Sequence, residues 1–383
     1  MDITNNKSNG YLTMNSTQVT FTSTLTLEDV NSGLDIPLTG RVIQRIVLPI
    51  ICSLGILGII FTLIILSRKS MCTSTNCYLM ALASTDLLFL LILATHLQEH
   101  QFVAFSKDYY HFIIYVTYSA ILMQMFLFAS VWLTVMLAVE RFIGICKPFL
   151  ASDLCTVTKA RFTVIVIYLV AVICRAPNFW EVHVRTVNDS LSNDSLSYIE
   201  GSELSMDTDY IIWYPWMIDG VMTSILPFLL LVFFNGKLVW EVRRSTQYLQ
   251  RNQMLRQTSD SGSGNGGGGS RVEREELQVT IMLISVIIVF FICQAPYVIY
   301  TAIVSINRYI LTETLRTLRY VTILMLALKS SVNFLLYCWF SEKFSATFRK
   351  LFELKNMFKK RRDRRASSIT SRLTVYSAKD TVV

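Results

Sequence analysis

Charge is scarce in this sequence. Only 16% of its 383 residues are Asp, Glu, Lys or Arg, whereas 52% are hydrophobic. Soluble domains carry charge on about 25% of their residues, because their surfaces face water. The apolar residues are also gathered into blocks, which excludes an ordinary soluble fold built around one buried core.

Histidine is scarce, and internal repeats are not visible. The four histidines, His96, His100, His111 and His183, are irregularly spaced, so we expect no metal site. No internal repeat is visible, which argues against the duplicated architecture of many transporters. The polar first 40 residues have no basic start followed by an apolar run, so no cleavable signal peptide is expected. With no catalytic constellation either, we expect no enzyme, no cofactor and no nucleic-acid partner.

Seven apolar blocks are present instead, each near the length that crosses a membrane. An α-helix needs about 20 mostly apolar residues to cross the hydrocarbon core with its backbone groups bonded internally. The sequence therefore predicts an all-α membrane protein, a seven-transmembrane helix bundle. The predicted spans are Ile46–Leu66, Cys77–His96, Phe112–Val139, Phe162–Phe179, Ile211–Phe234, Val279–Val304 and Leu318–Phe340.

Two independent signals orient the bundle. Asn-x-Ser/Thr sequences, which are glycosylated on the lumenal side, occur at Asn6, Asn15, Asn188 and Asn193. The segment after Phe340 holds 12 Lys/Arg against 4 Asp/Glu, and basic flanks favour the cytoplasm. We therefore expect a multi-pass protein of the plasma membrane with its N-terminus outside.

Cysteine is absent from every predicted extracellular region. All eight cysteines, at positions 52, 72, 77, 146, 155, 174, 293 and 338, fall in spans or on the inner side. No extracellular disulfide is therefore expected, although that compartment permits one.

The chain divides into four predicted regions. Residues 1–40 are rich in Ser, Thr and Asn and are expected to be disordered, and residues 41–340 form the transmembrane domain. Residues 341–358 place apolar side chains on one helical face, which predicts a short amphipathic helix at the inner interface. The basic tail, residues 359–383, is expected to touch anionic membrane lipids.

The tail carries two further interaction motifs. Its serines and threonines are candidates for phosphorylation, which adds charge that an arrestin-like protein can bind. Its end, Thr381 to Val383, matches a Ser/Thr-x-aliphatic terminus of the kind that adds a strand to a PDZ domain. The alternative to the interfacial helix and the lipid contact is an unstructured basic tail, and a three-residue terminus of this kind also arises often by chance.

Five motifs occur in order on successive spans. They are Asn76 with Leu82-Ala83 and Asp86-Leu87, Glu140-Arg141-Phe142, Pro227, Cys293-Gln294-Ala295-Pro296, and Asn333-Phe334-Leu335-Leu336-Tyr337. Together they resemble the rhodopsin-like (class A) G-protein-coupled receptors, over about residues 46–352. The resemblance implies a receptor that responds to an extracellular ligand and signals through heterotrimeric G proteins.

The resemblance also implies a switch at the inner ends of spans three and six. A buried cation such as Arg141 needs a partner. In the family, an acid at the position of Glu276 can pair with this arginine and hold the inactive state. Glu140 is adjacent, and Asn333 and Tyr337 belong to the same machinery on span seven. The alternative is that Glu276 faces water.

Asp86 is a carboxylate in the middle of an apolar span, which marks a functional site. In most members of the family the equivalent acid binds sodium. Here Ile59 stands where the family has asparagine, and Lys329 lies about one helical turn before Asn333. We expect Lys329 to pair with Asp86 and replace the sodium ion. The alternative is that Lys329 extends toward the membrane interface.

Other departures narrow the resemblance. Gln294 stands where the family has tryptophan, Phe334 replaces a proline of the seventh-span motif, and span four has Tyr168 near the place of its usual tryptophan. The two cysteines that cross-link the outer loop in the family are both absent. These features are similar to invertebrate neuropeptide receptors of the FMRFamide type and their thyrotropin-releasing-hormone-receptor-like relatives.

The resemblance places a ligand pocket in the outer halves of spans three, five, six and seven. Met123 stands where aminergic receptors carry an aspartate, and Ala327 stands where opsins carry the retinal lysine, so neither ligand fits. Asp219 suits a cationic group of a peptide, or an internal pair with Arg175. Both alternatives are open. The other candidate pocket residues are Met123, Gln124, Gln294, Tyr297 and Tyr300.

A neuropeptide is the favoured ligand. The loop from Glu181 to Asp209 contains seven acids against one basic residue and would attract a basic peptide. Two other functions stay open at this point. One is a class A receptor for a non-peptide small molecule, and the other is an ion or proton transporter that uses Asp86, Lys329 and Asp219.

Overall fold

The computed structural model describes residues 38–97, 109–188, 195–259, 269–306, 313–340 and 344–349. The side chains of residues 245–259 and 269–283 are not part of that description. Seven helices in the described chain are long and apolar enough to cross a membrane, which confirms the predicted fold class.

The seven spans are numbered in chain order. Their helices are Leu38–Leu66, Ser74–His96, Tyr109–Cys146, Val157–Arg175, Thr208–Pro215 continued by Trp216–Ile225 and Leu226–Ser259, Gly269–Ile306, and Glu313–Phe340. Spans three, five and six extend several turns beyond the predicted inner boundaries. Their polar inner turns continue the helical hydrogen bonding after the apolar run has ended.

Side-chain caps mark where spans two and four begin at the inner surface. The Thr73 side chain accepts a hydrogen bond from the N–H of Asn76, and Thr156 does the same for Lys159. Each cap satisfies one of the amide groups that the first turn of a helix leaves without an intrahelical partner. The short helix Pro148–Leu154 connects spans three and four.

Spans one, two and seven pack closely through glycine. A Cβ atom at Gly55 would lie 2.2 Å from Oγ of Ser331 and 2.8 Å from Leu90. A Cβ atom at Gly58 would lie 3.0 Å from the ring of Phe334. Small residues allow helix backbones in a membrane to approach each other, so these two glycines set the distance between spans one and seven. Span three is the most buried span in the described part of the bundle.

Residues 344–349 form a short helix that packs under the bundle. Phe344 is 1% exposed and lies in the apolar cluster at the inner ends of the spans. The Phe348 ring lies 5.9 Å from that of Phe61 and 5.7 Å from that of Phe334. Aromatic contacts therefore attach this helix to spans one and seven.

Span five changes its winding before Pro227. Trp216–Ile225 is a π-helix, and the hydroxyls of Thr223 and Ser224 each donate at 2.7 Å to a carbonyl five residues earlier. One of these carbonyls belongs to Asp219, whose side chain is buried within the bundle. Short π segments are uncommon and occur frequently at functional sites.

The outer loop between spans four and five contains a β-hairpin that the sequence patterns do not predict. Strand β1 (Val182–Asn188) pairs antiparallel with β2 (Ser195–Gly201). The register runs from Val182 opposite Gly201 to Asn188 opposite Ser195. All eight cysteines are free. The base of the hairpin is joined by a 2.9 Å hydrogen bond from the N–H of Ser202 to the carbonyl of Glu181.

Candidate functional site

Four side chains from four spans form one hydrogen-bonded cluster in the outer half of the bundle, the outer network. Nη2 of Arg175 on span four lies 2.5 Å from Oδ1 of Asp219 on span five. Nη1 of Arg175 donates to Oε1 of Gln124 on span three at 3.1 Å. The hydroxyl of Tyr297 on span six donates to the same Asp219 oxygen at 3.1 Å. The network therefore ties spans three to six together.

Asp219 has an internal partner. The Arg175 side chain is 1% exposed and that of Asp219 is 12% exposed. Removing two charges from water is costly, and their attraction offsets this cost only when further hydrogen bonds complete the site. Gln124 and Tyr297 supply two such bonds, whereas Nε of Arg175 has no hydrogen-bond partner among the described residues. Of the two alternatives for Asp219, the structure shows the pair with Arg175.

A second cluster, the core network, surrounds Asp86 in the middle of the bundle. Oδ1 of Asp86 accepts hydrogen bonds from Ser330 at 2.9 Å and from Ser130 at 3.3 Å. Oδ2 accepts one from Asn333 at 2.9 Å. The three donors come from spans three and seven, so the carboxylate of span two joins those helices. Three hydrogen-bond donors therefore face this buried carboxylate.

Lys329 joins the core network through a serine. Its Nζ donates to Oγ of Ser130 at 3.0 Å, and that hydroxyl in turn donates to Asp86. The ammonium also lies 5.4 Å from the ring centroid of Phe290, a cation–π geometry. The expected direct contact between Asp86 and Lys329 is therefore replaced by a bridged one, because span three places a hydroxyl between the two charges.

The remaining candidate pocket residues are all buried. Met123 and Tyr297 belong to one buried apolar cluster, and Tyr300 is also buried. Gln294 is 5% exposed, and neither its Nε2 nor its Oε1 has a hydrogen-bond partner among the described residues. Gln294 is therefore a buried amide whose hydrogen-bonding capacity is unused in this structure.

The outer rim carries polar contacts that the sequence does not reveal. The Tyr210 hydroxyl donates to Oε1 of Glu181 at 2.6 Å, and the Tyr210 ring stacks on that of Tyr214 with centroids 4.9 Å apart. On span seven, Nε and Nη1 of Arg316 are buried without a hydrogen-bond partner in the described part of the chain. No motif distinguishes these residues in the sequence.

At the inner end, Glu140 accepts a hydrogen bond from the hydroxyl of Ser74, which joins span three to span two. The side chains of Glu276 and Tyr337 lie outside the described part of the structure. The ion pair between Arg141 and Glu276 therefore stays a prediction.

Other predictions also concern atoms that the structure does not describe. They are glycosylation at Asn6, Asn15, Asn188 and Asn193 and the PDZ-type end at Thr381 and Val383. The Asn188 backbone is described as the last residue of β1, but its side chain is not.

Two buried polar networks that join spans two to seven, with Glu140-Arg141 toward the inner end of span three, are typical of the helical bundle of a membrane receptor. The chain belongs to the rhodopsin family of seven-transmembrane receptors, because the family model described as "7 transmembrane receptor (rhodopsin family)" matches residues 58–337. Members of this family are receptors rather than enzymes, and G-protein signalling is general among them. This membership decides against the transporter alternative.

The chain is similar to several receptors named for peptides. It is 28% identical to the FMRFamide receptor of Drosophila melanogaster over 80% of this chain, but over only 53% of that protein. It is 26% identical to the sex peptide receptor of Drosophila melanogaster, over 88% of this chain and 78% of that protein. It is 26% identical to the thyrotropin-releasing hormone receptor of Homo sapiens, over 81% and 78%. The predicted resemblance to FMRFamide-type and thyrotropin-releasing-hormone-type receptors is confirmed.

Proposed function

We propose that this receptor is activated by an extracellular peptide and passes the signal to a heterotrimeric G protein. The similar receptors named for FMRFamide, sex peptide and thyrotropin-releasing hormone support a peptide ligand. The acidic loop between spans four and five also supports it, since it would raise the local concentration of a basic peptide.

The outer network is the observation that carries the mechanism. Its four members join four helices by direct hydrogen bonds. A ligand group that bonds to one member would therefore weaken or replace the bonds of that member to the others. A ligand shifts a conformational equilibrium only by its difference in affinity for the two states. The peptide would therefore bind more tightly to a state of the receptor in which the hydrogen bonds of the outer network have been exchanged.

Span six would carry this change to the inner surface. Tyr297 fixes its outer half to Asp219, and the neighbouring Pro296 removes one backbone donor from the helix. A proline inside a helix is a common bending point. Outward movement of the inner half would release Arg141 and open a cavity for the G-protein α subunit.

The proposal extends to placement and further partners. The protein lies in the plasma membrane with its N-terminus outside, which the glycosylation sequences and the basic tail support. After phosphorylation the tail binds an arrestin-like protein. The tail also contacts anionic lipids, and its last residues bind a PDZ domain.

A peptide screen tests the proposal. Cells expressing the full chain are exposed to a neuropeptide library while calcium and cyclic AMP are recorded. We expect at least one peptide to give a saturable response. Cells with an equal surface level of the Arg141→Ala variant should not respond, because the cation that must engage the G protein is gone. A receptor at the cell surface that responds only to non-peptide molecules contradicts the peptide proposal.

A further inference from the structure

Gln294 is an amide side chain buried within span six. It is 5% exposed, and neither its carbonyl oxygen nor its amide nitrogen has a hydrogen-bond partner among the described residues. Buried polar groups in folded proteins are nearly always hydrogen-bonded, because an unpaired one loses its bonds to water without replacement. The unpaired state therefore indicates a group that is completed by something outside the chain.

Gln294 lies between the two polar networks. Four residues earlier on span six, the Phe290 ring faces the ammonium of Lys329 at 5.4 Å. Three residues later, the Tyr297 hydroxyl donates to Asp219 at 3.1 Å. Residues three and four apart share one face of a helix, so Gln294 lies on the interior face between these two contacts.

The charges on either side of Gln294 are already matched. Arg175 is paired with Asp219 on the outer side, and Lys329 is bridged to Asp86 through Ser130 on the inner side. An ionised ligand group at Gln294 would add a charge without a partner in a buried site, at a large desolvation cost. The partner should therefore be a neutral group.

The partner should also supply both a donor and an acceptor. The amide of Gln294 offers N–H donors and a carbonyl acceptor in one plane. Another primary carboxamide satisfies both atoms with two parallel hydrogen bonds. A carboxylate offers only acceptors and a guanidinium offers only donors, so each leaves one atom of Gln294 unpaired.

We propose that Gln294 recognises a primary carboxamide on the ligand, such as the C-terminal amide of a peptide, and sets the preference for amidated over free-acid peptides. This rests on the proposed function, in which the ligand is a peptide. Gln294 stands where the family usually has tryptophan, so this position presents an amide in place of a ring.

Matched pairs of peptides test this proposal. Cells expressing the full chain or the Gln294→Leu variant are stimulated with amidated peptides, FMRFamide among them, and with the free-acid form of each. The measured quantity is the ratio of the half-maximal concentrations of acid and amide. This ratio does not depend on how much receptor reaches the surface. We expect a ratio of about thirtyfold or more for the native chain, from two hydrogen bonds and the buried charge of the acid.

The variant should lower this ratio by about tenfold, since leucine has about the same volume but cannot pair with the amide, whereas the cost of burying the charge of the acid remains. A native chain that responds equally to acid and amide overturns the role of Gln294 and leaves the peptide proposal intact. So does a Gln294→Leu variant that keeps the native ratio. A chain at the surface that responds to no peptide overturns both.

Thermal unfolding of the purified, ligand-free receptor gives a second measurement. Gln294→Leu removes two unpaired polar atoms and should leave the melting temperature unchanged or raise it. The matched variant Gln124→Leu should lower it, because Gln124 accepts a hydrogen bond from the buried Arg175. If both variants lower the melting temperature equally, Gln294 is satisfied within the ligand-free receptor and the proposal fails.

Discussion

Two charge pairs in the described part of the bundle are completed by neutral side chains, and no sequence motif identifies one of these, Ser130. Asp86 and Lys329 are identifiable from sequence, because ionisable residues within apolar spans are rare and costly. Ser130 is not, since serines are frequent between packed membrane helices and its role depends on how close spans two, three and seven lie. Gln124, a candidate pocket residue by its sequence position, completes the pair of Arg175 and Asp219 instead.

Lys329 leads to a prediction about sodium. Its ammonium donates to Ser130 beside Asp86, where the family's receptors usually hold a sodium ion. We therefore expect peptide affinity in native membranes to change less than about twofold when sodium chloride is replaced by choline chloride. The Lys329→Asn variant leaves the carboxylate free to bind a cation, so sodium should lower its peptide affinity by about fivefold or more.

The matched control for this experiment is Lys69→Asn, which removes an exposed lysine at the inner end of span one. It should behave like the native chain. Strong sodium dependence of the native chain would show that Lys329 does not replace the ion.

At the scale of single elements, span five shows what an apolar pattern leaves undetermined. Its hydropathy predicts a helix over Ile211–Phe234, and a helix is present there. The π winding of Trp216–Ile225 is not predictable, because it depends on which neighbours Asp219 meets across the bundle. The β-hairpin is not predictable from sequence for a similar reason. Glycosylation sequences lie at its turn, and its position depends on contacts with span three.

The outer network predicts how spans four and five depend on each other. Asp219→Asn leaves Arg175 as an unpaired cation that is 1% exposed, and Arg175→Gln leaves the Asp219 carboxylate unpaired. Removing one partner of a buried pair costs about 3–5 kcal/mol. We expect each single variant to lower the melting temperature of the detergent-solubilised receptor, and the double variant to lose less than the two single effects added together.

Asp153→Asn, at an exposed aspartate between spans three and four, is the control and should not change the melting temperature. One outcome for Asp219→Asn would favour the alternative role of Asp219, which is contact with a cationic group of the ligand. If the variant keeps its stability and surface level but loses peptide potency, Asp219 contacts the ligand rather than holding Arg175.

At the scale of the whole molecule, the number of membrane-spanning helices is the most predictable feature. The bilayer imposes a length and an apolar composition on each span, so seven spans can be recognised one at a time. Their lateral packing cannot be recognised in this way. It depends on contacts such as Gly55 against Ser331, where the absence of one side chain decides how closely two helices approach.

The central claim is that peptide binding outside and G-protein binding inside are coupled through this bundle. Coupling between two binding sites is reciprocal. A peptide that strengthens G-protein binding must therefore bind more tightly itself, by the same factor, when the G protein is bound. The most direct measurement is the affinity of an activating peptide for membranes, with and without a non-hydrolysable GTP analogue. We predict that the analogue lowers the affinity about tenfold. An affinity that stays the same in the presence of a competent G protein would contradict the claim.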